Sequence, residues 1–330
     1  MNPIGEQTTE LPKTWTYQDV RTWCLDLDSH LHAQKLIFDF SNVSFTHPVG
    51  MMIVGSALRR IVVIRHKAGL NTTYSGISTT IKAHTYLEHL GFFDFVYLKD
   101  RTKIGSASGS ERYIPIRKIS RSEFETQGKS SKEVTEEIDQ YSKSIAEVFS
   151  SGIDDHQAQR VIAYAFREII RNVFEHSGAN HCYIAGQRWG PTRVEVVVLD
   201  EGRGIRGSLS EAHSVDNDAD ALRMAIKPGV SRTSGTTVNE HDNSGFGLYV
   251  LSEVGRQFGR FVVGSGDSAL RVENTVQHED FAFSGTVVGL NLSKSPNNFG
   301  VVLADIIKKG EAETKSRGDS KTASPMSKRA

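Results

Sequence analysis

Two oxygen-bearing side chains, Glu168 and Asn172, lie one turn apart in the segment AQRVIAYAFREIIRNVFEHS (158–177). Spacings of three or four residues place both, together with Glu175, on one face of a predicted helix. An amide oxygen there is suited to Mg²⁺ beside bound phosphates, and the carboxylate is suited to accepting a proton from water or a hydroxyl. Considered alone, the segment favours an amphipathic helix whose polar face is simply solvated, and the rest of the chain reverses this preference.

A second carboxylate follows a β-branched run in VEVVVLDEGRGI (194–205). The run predicts a buried strand that ends at Asp200, and Gly202 and Gly204 follow in the turn. Glycines let a ligand approach the backbone closely, so this pattern places a carboxylate beside a potential binding site. The alternative is an ordinary glycine-rich turn after a strand.

Two further motifs lie downstream. In SGFGLYV (244–250), Gly245 and Gly247 precede a helical pattern, and the free N–H groups at a helix start are suited to an anion such as phosphate. No Gly-Lys-Ser/Thr follows, so this is not a Walker motif. In SGT (284–286), the hydroxyl of Thr286 precedes an alternating apolar strand and can hydrogen-bond a base or a neighbouring carboxylate, although threonine is also common where a strand begins.

In this order the four motifs resemble the ATP-binding site of the GHKL ATPase family, which includes histidine kinases, gyrase-type topoisomerases, Hsp90 chaperones, MutL proteins and anti-sigma-factor serine kinases. The resemblance covers residues 131–295. It implies a Bergerat fold, an α/β sandwich in which ATP lies between helices and a mixed sheet with helices on one face.

The resemblance also implies a role for each motif residue. Glu168 would be the general base, and Asn172 would bind Mg²⁺. The others would contact the nucleotide: Asp200 accepts from the adenine amino group, Gly202 and Gly204 shape the adenine pocket, Gly245 and Gly247 make room for the phosphates, and Thr286 supports the adenine end.

Other polar residues near these motifs are predicted to contribute less directly to nucleotide binding. His176 is interpreted as a packing or capping residue. The polar stretch between Arg206 and Ser244 matches the family's mobile lid, with a short helix at ADALRMAI (219–226). Lys227 and Arg232 in this stretch are candidates for contacting phosphate, or solvated surface charges.

Upstream, strands and helices alternate over residues 17–100, which indicates an α/β layer fold. The strand in KLIFDFSNVSF (35–45), the turn from Phe45 to Gly50 and the helix after it resemble a STAS domain of anti-sigma-factor antagonists. Such domains commonly carry a phosphorylated serine in this turn, but here the matching positions are His47, Pro48 and Val49. Thr46 is interpreted as a buried strand-end residue, so docking or dimerisation is the predicted role.

The predicted organisation is therefore an α/β protein with two folded regions. A flexible N-terminus (1–16) precedes the STAS-like domain (17–100), and a linker (101–130) contains a possible strand at YIPIRKI. The ATP-binding domain (131–295) is followed by a helix or strand extension (296–310). A polar, disordered tail (311–330) is predicted to end the chain.

Composition limits the partners that we expect. Lys+Arg and Asp+Glu are equal at 39 each, so nucleic acid or an anionic membrane surface is not indicated. The sequence contains neither a secretory signal pattern nor an apolar run of membrane-spanning length. Cys24 and Cys182 form no metal-ligand cluster, which is typical of a reducing compartment. We therefore expect a soluble, cytoplasmic protein.

Two functions from different classes follow from the motifs. The first is a serine/threonine protein kinase of the anti-sigma-factor type that uses ATP and Mg²⁺ and acts on an unidentified protein partner, with a homodimer as a candidate assembly. The second is an ATP-dependent conformational switch that controls a protein interface without phosphoryl transfer to protein. Transfer of phosphate to a protein, as opposed to release of free phosphate, distinguishes them.

Overall fold

The computed structural model describes most of the chain: residues 4–98, 100–107, 109–110, 112–125, 128–149, 156–190, 193–231, 244–319 and 321–330. Helices and strands alternate, and the described residues contain both parallel and antiparallel sheets. The predicted α/β class is confirmed.

The first unit is built on a small parallel sheet whose strand order is β1-β3-β5. Its longest helix begins at Pro48, a favourable first helical position because proline has no N–H to satisfy. The elements are β1 (Ile4–Glu10), β2 (Thr14–Trp15), α1 (Tyr17–Asp26), β3 (Ala33–Asp39), β4 (Phe45–Thr46), α2 (Pro48–Lys67), β5 (Asn71–Ser75), α3 (Lys82–His89) and α4 (Phe92–Phe95).

Two features of this unit bear on the predictions, its N-terminal strand and Thr46. The prediction that residues 1–16 are flexible is wrong for the described residues, because β1 pairs in parallel with β3 from Ile4 to Glu10. The strand is polar because it lies at the sheet edge and needs only backbone hydrogen bonds on one side. Helix α2 includes the apolar run IVVIR (61–65), and the short helix α4 follows Gly91. Thr46 is buried at the end of β4, as predicted.

The second unit is built on a five-stranded sheet of order β6-β7-β8-β10-β9. Every strand pairing in this sheet is antiparallel, so the predicted mixed sheet is wrong for the described residues. The elements are β6 (Tyr113–Ser120), α5 (Ser131–Glu147), α6 (His156–Asn172), β7 (His181–Arg188), β8 (Val194–Asp200), α7 (Gly204–Leu209), α8 (Asp218–Ala225), α9 (Gly247–Phe258), β9 (Gly259–Val272), β10 (Val276–Leu292) and α10 (Phe299–Ser316).

The boundaries of the second unit also differ from the prediction. The possible strand at YIPIRKI is β6, and it is an edge strand of this sheet, so the unit begins inside the predicted linker. The extension over 296–310 is helical. The prediction of a disordered tail over 311–330 is wrong, because α10 continues to Ser316 and residues 323, 324, 326 and 327 are buried.

Both faces of the five-stranded sheet are covered. Along β8, Val196 and Val198 pack in a core with α5, α6, α9 and α10. The alternate residues Val197 and Leu199 pack in a second core with the first unit, chiefly α1 and α2. The expectation of helices on one face is therefore wrong. Burial of both faces explains why β8 is almost continuously apolar instead of alternating.

Candidate functional site

The helix α6 ends at Asn172, and a π-helical turn follows over Val173–Ser177. The turn stops at Gly178, which has a φ of +72°. A π turn widens the helix locally, and such turns are frequent at functional sites. Asn172 therefore lies where regular α-helix stops, with Glu168 one turn before it.

Asp200 occupies the end of β8 and is 2% exposed. Its Oδ1 accepts a hydrogen bond of 2.8 Å from the backbone N–H of Gly202. The hydroxyl of Thr286, its partner residue on β10, donates a second one. Burial nevertheless raises the pKa of the Asp200 carboxyl from its usual 3.8 to about 6, since these two hydrogen bonds offset desolvation only partly.

The raised pKa predicts how stability depends on pH. Between pH 3.8 and about 6 the folded protein binds a proton that the unfolded chain has released, so stability is lost as pH rises through this window. We expect the free energy of unfolding of the wild type to fall by about 2 kcal/mol relative to Asp200→Asn between roughly pH 4 and pH 7. Urea unfolding of both proteins across this range measures the difference. Parallel curves would show that folding does not raise the pKa of Asp200.

The glycines of SGFG allow a close approach of backbone segments. Gly245 has a φ of +74°, and a Cβ there would lie 2.4 Å from the carbonyl oxygen of Val230. Gly247 begins α9, and a Cβ there would lie 2.7 Å from Oε2 of Glu168. The start of α9 is thus held directly against the Glu168 carboxylate.

The predicted residues surround one cavity between the five-stranded sheet and α6. Its volume, without the open solvent at its mouth, is about 90 Å³. This is several times the roughly 10–15 Å³ that one water needs, and it is below the roughly 300–1,000 Å³ of typical small-ligand pockets. Six of the eight predicted residues line it: Asn172, Asp200, Gly204, Gly245, Gly247 and Thr286.

The other two predicted residues lie just behind the wall. Glu168 is 2% exposed and contacts Gly247, which lines the cavity. Gly202 holds Asp200 through its N–H, and a Cβ there would lie 2.4 Å from the carbonyl oxygen of Ser177. Each is therefore one contact away from the cavity.

Most of the remaining wall is apolar and was not predicted residue by residue. Ile169 comes from α6, and Val198 and Val288 come from the neighbouring strands β8 and β10. The available signal was periodicity, since Ile169 lies three residues before Asn172 on α6 and Val198 shares a face of β8 with Asp200. His176, interpreted as packing, also lines the cavity.

A buried charge network fixes Glu168 and was missed by sequence reasoning. The guanidinium of Arg167, 2% exposed, donates from Nε to Oε1 of Glu168 at 3.1 Å and from Nη1 to Oδ1 of Asp139 at 3.0 Å. Its Nη2 donates to the carbonyl oxygen of Met326 at 3.0 Å. Asp139 on α5 is distant in sequence, and no local pattern indicates the pairing.

No protein-family model, curated protein or solved structure matches this chain. The assignment of the cavity therefore depends on its own geometry and chemistry.

Metal and phosphate contacts are limited by what the described residues offer. They contain no group of three or more His, Cys, Asp or Glu side chains that could hold a metal ion. A Mg²⁺ at Asn172 would therefore take most of its ligands from phosphate and water. Lys227 is exposed and does not line the cavity, and Arg232 lies outside the described residues. The predicted short helix is confirmed as α8.

The described residues also contain no helix both long and apolar enough to cross a membrane.

Proposed function

We propose that this chain binds ATP with Mg²⁺ in the cavity and transfers the γ-phosphoryl group to a serine or threonine hydroxyl of a protein. The observation that carries the proposal is the buried carboxylate of Asp200 at one side of an otherwise largely apolar cavity, with Asn172 and the glycine turn at Gly245 also in its wall. This combination is suited to a flat polar base joined to a charged group.

Recognition of adenine would depend on Asp200. Its Oδ1 is already bound to Gly202, and its carboxylate retains further acceptor capacity for the adenine amino group. Ile169, Val198 and Val288 supply apolar surface for the ring. The hydroxyl of Thr286 keeps the carboxylate in place.

The phosphates would lie toward Asn172 and the start of α9. Gly245 and Gly247 line the cavity, and the first backbone N–H groups of α9 have no partner within the helix itself. Mg²⁺ bound by the Asn172 amide oxygen would neutralise phosphate charge. Glu168, held by Arg167 against Gly247, would accept the proton of the attacking hydroxyl.

A specific contact favours the switch as a second candidate. Arg59 on α2 forms a bidentate ion pair with Glu201, at 2.8 Å from Nε to Oε1 and 3.1 Å from Nη2 to Oε2. Glu201 directly follows Asp200, so the first unit is connected to the proposed adenine contact. Nucleotide binding would then change an interface on the first unit, with release of free phosphate and no phosphoprotein.

Nucleotide selectivity tests the proposal. We expect the full chain with Mg²⁺ to bind ATP at least about 100-fold more tightly than GTP, because guanine presents a carbonyl where adenine presents the amino donor. Asp200→Asn should weaken ATP binding roughly 10- to 100-fold, the value of a charge-assisted hydrogen bond. Isothermal titration calorimetry measures both.

Asp305→Asn is the matched control, since this exposed carboxyl on α10 is not among the cavity's lining residues. Equal affinity for ATP and GTP, or an effect of Asp305→Asn as large as that of Asp200→Asn, would contradict adenine recognition by Asp200.

A further inference from the structure

The C-terminal segment, residues 321–330, is packed onto the second unit. Ala323 and Met326 are 4% and 6% exposed, and Ser324 and Ser327 are 2% and 1% exposed. Glu311 on α10 accepts from the N–H of Ala323 at 3.1 Å and pairs with Lys328 at 2.9 Å. Burial of polar serines in a terminal segment is costly unless they are hydrogen-bonded, so this arrangement needs specific partners.

The segment meets the proposed phosphoryl-transfer site at two points. The carbonyl oxygen of Met326 accepts from Arg167, which also binds Glu168. The hydroxyl oxygen of Ser327 lies 3.2 Å from that of Ser244, the residue before Gly245. A closed ring of contacts therefore runs from Glu168 through Arg167 and the segment to Ser244, and back along the chain to Gly247, which touches Glu168.

The two buried serines have different roles in this ring. Ser324 forms a turn, since its Oγ accepts the backbone N–H of Ser327 at 3.2 Å. The hydroxyl of Ser327 lies within hydrogen-bond distance of two other serine hydroxyls, those of Ser324 and Ser244. It is therefore the hydroxyl of the segment that contacts the residue next to the glycine turn.

We propose that Ser327 is a phosphoryl acceptor for the chain's own nucleotide site. This inference rests on the proposed function, with ATP as the donor. The Oγ of Ser327 attacks the γ-phosphorus and forms a new P–O bond, while the bond from that phosphorus to the oxygen bridging to the β-phosphate breaks. ADP leaves, and Glu168 takes the hydroxyl proton.

Phosphorylation would also release the segment. A phosphoserine carries about −1.5 to −2 charges at pH 7, and buried like charges repel. Glu168 and Asp139 both lie on Arg167, whose third contact is the segment itself. The modified Ser327 would directly follow Met326, whose carbonyl oxygen is bound by the guanidinium that the two carboxylates share. Added negative charge there favours expulsion of residues 321–330 and opens this side of the site to another protein.

Incubation of the full chain with γ-labelled ATP and Mg²⁺, followed by peptide mapping by mass spectrometry, tests the proposal. We expect phosphate on Ser327 in the peptide 322–328. Ser327→Ala and Glu168→Gln should each lower this label at least tenfold. Thr322→Ala, which removes an exposed hydroxyl from the same peptide, is the matched control and should retain it. Ser327→Thr, which keeps a hydroxyl, should carry the label at position 327.

A dilution series separates reaction within one chain from reaction between chains, because the fraction labelled per unit time is independent of protein concentration only in the first case. Proportionality to concentration would overturn the proposal, as would full labelling of Ser327 in Glu168→Gln. ATP binding measured by calorimetry without phosphate on Ser327 would overturn this inference alone. Absence of ATP binding would overturn the proposed function as well.

Discussion

Glu168→Gln is expected to lower ATP turnover by roughly 10²- to 10⁴-fold while ATP affinity changes little. Glutamine keeps the shape of the side chain and can still accept from Nε of Arg167, but it cannot take up a proton. Since Glu168 contacts Gly247 from behind the cavity wall, its replacement by an isostere should leave the wall intact. Labelled phosphate, counted both as free phosphate and in protein, measures turnover, and calorimetry measures binding.

Asp139→Asn is the control for this variant because Asp139 is the other carboxylate on the same guanidinium. It weakens the charge network around Arg167 without removing the proposed base. We expect a modest loss of stability and near-normal turnover. Normal turnover in Glu168→Gln would show that Glu168 is not the base, and equal losses in both variants would reduce its role to holding Arg167.

Asn172→Ala is expected to remove the Mg²⁺-dependent part of nucleotide binding, raising the Kd of ATP with Mg²⁺ at least about 100-fold. Substitutions of residues that only orient a metal ligand cost 10- to 100-fold, so loss of a direct ligand should cost at least as much. Asn172 is the cavity residue at which α6 gives way to the π turn. Titration of ATP with MgCl₂ and with EDTA separates the metal-dependent part.

Asn172→Asp is the variant to compare with Asn172→Ala. A carboxylate oxygen can also bind Mg²⁺, so this variant should keep metal-dependent affinity for ATP. A Mg²⁺ effect of wild-type size in Asn172→Ala would exclude this residue as the metal ligand. Loss of affinity in EDTA as well as in MgCl₂ would instead indicate a damaged cavity.

Much of the candidate site's lining could be predicted from sequence because those residues lie in short motifs. Asp200 follows a buried strand directly, and Gly245 and Gly247 immediately precede α9, so local pattern indicates both position and chemistry. Six of the eight predicted residues line the cavity. Arg167 could not be assigned in this way, because its partners Asp139 and Met326 come from distant parts of the chain and are brought together only by packing.

The errors in the fold have a common physical origin. Strand β1 and the C-terminal segment are polar, and sequence reasoning treats polar ends as unfolded because they bury little apolar surface. In the structure, pairing with β3 satisfies backbone hydrogen-bonding groups of β1. The buried hydroxyls of Ser324 and Ser327 in the C-terminal segment are satisfied by hydrogen bonds with each other and with Ser244. Burial of the second face of the five-stranded sheet was recognisable in principle, because β8 lacks the alternation of a half-solvated strand.

The core shared by the two units has a consequence for how the chain can change over evolutionary time. Val197 and Leu199 of the sheet pack with residues of α1 and α2, and a Cβ at Gly289 would lie 2.7 Å from Val49. The two units are thus not independent domains connected only by a linker. A substitution on one side of the shared core must be compensated on the other side, so the two units are expected to evolve together.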